Sequence, residues 1–221
     1  MGLLVKICGI NSAEAADAAA RAGADLAGLA FHSKSPRNVQ PGQARALADR
    51  MRGKMRLVVL LSDPTDEALA SAVAAVTPDF IQLHGAETPD RVAAIRGRFK
   101  AGIIKAFAVA DASDLMAARK YEDNADMLMF DAKPPAGSER EGGHGGAFDW
   151  QILSGRTFAR PWLLAGGLNP ANVVRAIQVS EAPGVDVSSG VETSPGKKSA
   201  ELISQFVANA RSAKFAKEAQ S

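Results

Sequence analysis

Short apolar runs alternate with alanine-rich amphipathic segments along this chain, and the alternation repeats eight times. The runs are LLVKIC (3–8), DLAGLAF (25–31), RLVVLL (56–61), DFIQLH (79–84), GIIKAF (102–107), DMLMFD (126–131), WLLAG (162–166) and VDVSSG (185–190). Several are continuously apolar, as a parallel strand covered on both faces reads. The segments between them carry helical spacing. Ala44, Leu47, Ala48 and Met51 recur at intervals of three and four, as do Leu69, Ala72, Val73 and Val76, and Ile203, Phe206, Val207 and Ala210. Ser12, Asp111 and Asn169 are candidate N-caps, and Thr88-Pro89 and Asn169-Pro170 put proline in a first helical turn. Gly23 stands where a left-handed cap ends the first helix.

Eight units in 221 residues give about 28 residues per unit, near the minimum for a βα repeat. This predicts an α/β fold, a single-domain (β/α)8 TIM barrel of parallel strands spanning residues 1–221. The polar run RSAKFAKEAQ (211–220) predicts an end that frays. The competing architecture is an open doubly wound sheet. Such a sheet usually carries a G-x-G-x-x-G fingerprint after its first strand, whereas here that strand ends in CGIN. Apolar residues are 47% of the chain, enough for a large core, and charged residues are 23% and intermixed in sign.

A net charge of +2 is too small to imply nucleic acid as a partner, though it is compatible with a local anion site. One cysteine excludes an intramolecular disulfide and fits a reducing compartment. The start MGLLVKICGI lacks the pattern of a secretion signal, and no apolar run is long enough to span a bilayer. The expectation is a cytoplasmic protein with a small-molecule substrate, no membrane partner, and a monomer in preference to a homodimer.

A barrel of this kind does its chemistry at the C-terminal ends of the strands. Cys8 ends the first run; His32, Lys34 and Arg37 follow the second; His84 ends the fourth; Asp131 ends the sixth, with Lys133 just beyond. Gly166 and Gly167 end the seventh, and Ser188, Ser189 and Gly190 the eighth. Glycine-bearing loops after strands seven and eight are where this fold holds phosphate, through backbone N–H groups. A Gly-Gly pair alone reads equally well as a tight turn.

Cys8 reads as an inert buried hydrophobe or as a base, and as a base it needs a lowered pKa, for which Lys6 is at hand. Asp131 reads as a general acid in an apolar setting, or as a structural partner of Lys133 or Lys105. Arg37 reads as a fork for a carboxylate, or as a solvated loop residue. His32, His84 and His144 lack the supporting carboxylate spacing of a metal site. The glycine-rich loop PPAGSEREGGHGGAF is long enough to be a lid.

With those residues set out, the chain resembles the phosphoribosylanthranilate isomerases of tryptophan biosynthesis. The motifs are KICGI (6–10), GLAFHSKSPRNV (28–39), QLHG (82–85), IKAF (104–107), FDAK (130–133), GGHGGAFDW (142–150), LAGGLNPANV (164–173) and GVDVSSGVETSPGKK (184–198). The resemblance implies an Amadori rearrangement without metal or cofactor. It implies Asp131 as the acid that opens the sugar ring and Cys8 as the base that takes a carbon-bound proton. It further implies Arg37 on the anthranilate carboxylate, His84 and Asp186 near the substrate, and Gly166, Gly167, Ser189 and Gly190 on the phosphate. Asp186 has an alternative as a barrel-core partner of a lysine. Relatives often carry a small hydroxyl residue in place of His144. Three readings compete: a sibling isomerase of the histidine pathway, a sugar-phosphate epimerase, and a barrel that binds a phosphosugar without turning it over. The sibling uses a carboxylate at the end of strand one, which Cys8 opposes.

Overall fold

In a computed structural model of the chain, the eight apolar runs are strands β1 (Leu4–Ile7), β2 (Leu26–Ala30), β3 (Arg56–Leu61), β4 (Phe80–Leu83), β5 (Gly102–Val109), β6 (Met127–Ala132), β7 (Trp162–Leu164) and β8 (Gly184–Val187). They close into a parallel barrel in chain order, with β8 pairing back onto β1. The structure describes residues 2–132 and 149–218, with side chains to Ala213 at the C-terminal end. Lys133 and the whole of the glycine-rich loop (134–148), with His144, lie outside the described residues.

Helices α1 (Ala13–Ala22), α2 (Pro41–Met51), α3 (Asp66–Val76), α4 (Pro89–Arg98) and α5 (Ala112–Ala118) follow the first five strands. Among the described residues, β6 and β7 are joined by a single 3₁₀ turn, Trp150–Leu153. After β7 comes α6 (Val173–Ser180). After β8 a two-stranded hairpin, β9 (Glu192–Ser194) and β10 (Lys197–Lys198), leads into α7 (Ala200–Glu218). The segment read as fraying continues that last helix to Glu218.

The spacing arguments locate the buried helix faces. Helix α2 buries Ala44, Leu47, Ala48 and Met51, and α7 buries Ile203, Phe206, Val207 and Ala210. In α3, Leu69, Ala72 and Val76 are buried, with Ala75 completing the face and Val73 half-buried. The Ser12 and Asp111 side chains cap as expected, accepting from Ala15 and Ser113 N–H; Pro89 opens α4 behind Thr88, which caps it by accepting from Arg91 N–H, and Gly23 ends α1 at φ 79°. Asn169 does something else. It and Asn172 form a turn in which each side chain accepts from the other's backbone N–H, at 3.2 and 2.8 Å, and α6 begins only at Val173. Short Asn side chains bond readily to local backbone, so a turn competes here with the helix start.

A repeated device ties the N-terminal ends of the strands. Asp25, Asp79 and Asp126 each stand one residue before an even-numbered strand. Their carboxylates accept from the N–H of Val5, Leu57 and Ile103 on the preceding odd strand, at 2.7, 2.7 and 2.8 Å. The same Asp residues donate their own N–H to the carbonyls of Val5, Leu57 and Ile103. At β8 the corresponding residue is Pro183, which accepts from Leu4 N–H through its carbonyl but has no side-chain acceptor. Asp79→Ala should therefore cost about 0.5–1.5 kcal/mol, the usual worth of one hydrogen bond. Urea unfolding would test it; an unchanged midpoint would mean the bond contributes nothing.

Candidate active site

The period-two alternation of a strand decides what enters the barrel. Ile7, Leu83, Phe130 and Val187 belong to the outer core between barrel and helices. Their neighbours point inward, so one strand residue and the next inward position beyond it form pairs: Lys6 and Cys8, Gln82 and His84, Met129 and Asp131, Asp186 and Ser188. Phe130 is fully buried, with its ring 4.8 Å from Phe158 and 5.5 Å from Trp162, and this packing fixes the strand that carries Asp131. Below these pairs an apolar plug of Leu26, Val58, Ile104, Met127 and Leu163 closes the barrel. The chemistry is confined to the rim above it.

A pocket opens at that rim, and it is lined by Cys8, Arg37, His84, Asp131 and Asp186 together. These five, singled out from strand ends far apart in sequence, share a single concavity. Gln82, Ser62, Ser35, Ser188 and His32 also line it. Of these, sequence reasoning gave no role to Gln82, Ser62 or Ser35. Gln82 sits inside an apolar-looking strand, and only its inward parity could have flagged it. Its carboxamide oxygen is buried without a hydrogen-bond partner among the described residues.

Cys8 lies one residue past β1 and is buried. Its N–H donates to Val187 O at 2.8 Å, and its own carbonyl accepts from Ser188 Oγ at 3.1 Å. Gly28 leaves room beside it: a Cβ there would come within 3.0 Å of Cys8 Sγ and 3.3 Å of Lys6 Nζ. Burial pushes the Cys8 thiol up, Lys6 and Lys198 pull it back down, and Asp186 adds to the rise. A lowered value was the requirement for a thiolate base. In this geometry desolvation outweighs the two ammonium groups.

Lys6 is fully buried and pairs with Asp186 at 2.7 Å. Burial pulls its pKa down, but the charges of Asp186 and Cys8 outweigh this, and the result is a rise. Asp186 thus has the core lysine partner that was its alternative reading, while also facing the pocket. Among the described residues Asp131 does not pair with Lys105; Lys133, its other candidate partner, lies outside them. The Asp131 carboxylate meets His84 Nε2 at 3.3 Å, and Lys105 turns instead to Glu87 at 3.0 Å.

Arg37 is not a solvated loop residue. Its Nε and Nη2 donate to the two carboxylate oxygens of Glu192 at 2.7 and 2.8 Å. Glu192 also accepts from Lys198 Nζ at 2.7 Å. Burial pushes the Glu192 carboxyl up, yet Arg37 and Lys198 overcome it and hold it below its usual value. Neither Glu192 nor Lys198 was singled out from the sequence, although both stand in the GVETSPGKK run.

Gly166, Gly167, Ser189 and Gly190 are not among the residues lining that pocket; they occupy the adjoining rim. Gly166 and Gly167 follow β7 at φ 85° and 65°. Ser189 opens the 3₁₀ turn Ser189–Val191 that follows β8. A Cβ on Gly190 would fall 1.8 Å from Leu168 O, so its lack of a side chain is what lets the loops after β7 and β8 pack together.

The model of the N-(5'-phosphoribosyl)anthranilate (PRA) isomerase family matches residues 5–209. The chain belongs to this family. It is 50% identical over 210 residues to the N-(5'-phosphoribosyl)anthranilate isomerase of Paracoccus denitrificans, covering 95% of this chain and 98% of the relative. It is 48% identical over 211 residues to that of Paramagnetospirillum magneticum, covering 96% and 98%. Among solved structures, the phosphoribosylanthranilate isomerase from Thermotoga maritima superposes with a TM-score of 0.85 at 34% identity, covering 95% of this chain and 99% of that one. A second phosphoribosylanthranilate isomerase structure, in complex with reduced 1-(o-carboxyphenylamino)-1-deoxyribulose 5-phosphate, superposes at 0.82 with 32% identity, covering 95% and 99%. The eight-stranded parallel barrel of this isomerase family is the architecture found here. Among the described residues no helix is long and apolar enough to cross a membrane.

Proposed function

We propose that this chain catalyses the Amadori rearrangement of N-(5-phosphoribosyl)anthranilate to 1-(2-carboxyphenylamino)-1-deoxyribulose 5-phosphate, in tryptophan biosynthesis. The observation that carries the proposal is the shared pocket: a thiol and a carboxyl group from β1 and β6 open into one cavity beside an arginine. Asp131 gives a proton to the furanose ring oxygen, the ring C–O bond breaks, and the anilino nitrogen's lone pair forms an iminium. Cys8 as thiolate then removes the proton from the neighbouring carbon. The electrons of that C–H bond neutralise the iminium to an enolamine, which tautomerises to the ketone. No atom is gained or lost, and the reaction needs no redox partner. One acid and one base are enough.

His84 orients the Asp131 carboxyl, and Asp186 faces the aminoaldose. Arg37 takes the anthranilate carboxylate. Backbone groups of Gly166, Gly167, Ser189 and Gly190 hold the phosphate on the rim formed by β7 and β8, where this fold usually places it. A thiol rather than a carboxylate after β1 favours this reaction over its histidine-pathway counterpart. We read residues 1–221 as one catalytic domain, with a monomer in preference to a homodimer. The free thiol fits the cytoplasm. The test is loss of phosphoribosylanthranilate fluorescence on adding the purified protein; no turnover would remove the proposal.

A further inference from the structure

We propose that Glu192 is a positioning residue: it grips Arg37 by one edge of the guanidinium so that the other edge forks the substrate's carboxylate. The inference rests on the reading that this pocket takes an anthranilate derivative, and it adds how the carboxylate is selected. A guanidinium carries five N–H groups in a planar fork. Glu192 occupies the Nε–Nη2 edge, at 2.7 and 2.8 Å. Among the described residues no group takes the Nη1 N–H groups or the second of Nη2, and the Nη1–Nη2 edge matches a carboxylate equally well.

Glu192 is itself built in. Its side chain is 4% exposed, and its two oxygens also accept from Lys198 Nζ at 2.7 Å and Gly196 N–H at 3.1 Å. Gly196 packs where a Cβ would come within 2.5 Å of Pro36 O, so the β9–β10 hairpin abuts the residue before Arg37. On the other side, Arg37 lies across the backbone that follows Cys8. A Cβ on Gly9 would meet Arg37 Cδ at 2.5 Å, and Gly9 holds φ 73°. The arginine stem is thus pinned between the turn after β1 and a buried carboxylate.

An arginine ordered before the ligand arrives does not lose its rotamer freedom on binding, so more of the contact appears as affinity. The charges also favour an anion. Within this triad Arg37 and Lys198 contribute two positive charges and Glu192 one negative, a local +1, while Asp186 on the same pocket is paired with Lys6. Such an ordered cation discriminates a carboxylate-bearing aniline from a bare one.

The experiment measures KM and kcat for phosphoribosylanthranilate with wild type, Glu192→Gln, Arg37→Met and the double variant. Thermal unfolding is recorded for each. Glu192→Gln should raise KM roughly ten- to hundred-fold, the usual reach of an orienting partner, with kcat within about threefold because uniform binding is what is lost. In the Arg37→Met background it should raise KM no further, since the effect passes through Arg37. A folded Glu192→Gln protein with unchanged KM overturns the proposal, as does an equal rise in the Arg37→Met background. If Glu192→Gln does not fold, Lys198→Met and Lys198→Met/Glu192→Gln are compared instead, which removes the two buried charges together; equal KM values for that pair overturn it. A wild type that turns over phosphoribosylanthranilate while these comparisons fail sinks this proposal alone. A wild type without turnover sinks the functional reading and this proposal with it.

Discussion

Replacing Cys8 with alanine should lower kcat by about a hundred- to ten-thousand-fold, and Asp131→Asn should do the same. The two substitutions remove different things. Alanine removes the thiolate that abstracts the carbon-bound proton. Asparagine keeps the size of the carboxyl and a group able to meet His84, but has no acidic proton for the ring oxygen. Because both groups act on one substrate, KM should change far less than kcat. A Cys8→Ala enzyme within tenfold of wild type would remove Cys8 from the reaction. Burial pushes the thiol up despite Lys6 and Lys198. The thiolate fraction of the free enzyme therefore grows as pH rises through the alkaline range; because the wild type also needs a proton on Asp131, the rise is read in Asp131→Asn, whose residual kcat/KM, a report on the free enzyme, should climb with that fraction. A profile flat from neutral upward would mean that another group is the base.

The second large effect concerns the buried ion pair beneath that thiol. Lys6 Nζ is fully buried and 2.7 Å from Asp186, whose side chain is 9% exposed. Lys6→Met leaves the Asp186 carboxylate without its cation in a low-dielectric interior, and breaking a buried pair in this way costs about 3–5 kcal/mol. Neutralising both, as Lys6→Met/Asp186→Asn, should recover part of the loss, because the penalty lies in the uncompensated charge rather than in a missing attraction. Urea unfolding of wild type, single and double variants would measure both. A single variant within 1 kcal/mol of wild type would contradict the estimate, which rests on the cost of an unpaired buried charge.

The barrel is legible in the chain because its strands are buried on both faces and its helices have one buried stripe. Both leave periods in the residue types. Cys8, Asp131, His84 and Asp186 are legible for a related reason: a polar residue at the inward parity of an otherwise apolar strand has few structural uses. The same logic fails for Glu192 and Lys198. They sit in a hairpin beyond β8, where the composition resembles any polar loop, and only the fold brings Glu192 against Arg37, 155 positions away. The raised thiol of Cys8 is also invisible in sequence. Lys6 two residues earlier suggests a lowered pKa, while the burial that reverses it comes from packing by many residues at once. Asn169 illustrates the local limit, since one Asn-Pro pair fits a helix start and a reciprocal Asn turn alike.

Asp25, Asp79 and Asp126 fasten β1 to β2, β3 to β4 and β5 to β6. Pro183 leaves β7 and β8 without such a fastening, and Leu164 with Val185 is the register pair that joins them. As a mechanical object the barrel is three pinned pairs of staves and one unpinned pair. The unpinned pair stands directly below the loops carrying Gly166 and Gly190. The pair of staves without a pin and the loops proposed to hold the phosphate are therefore the same quarter of the ring.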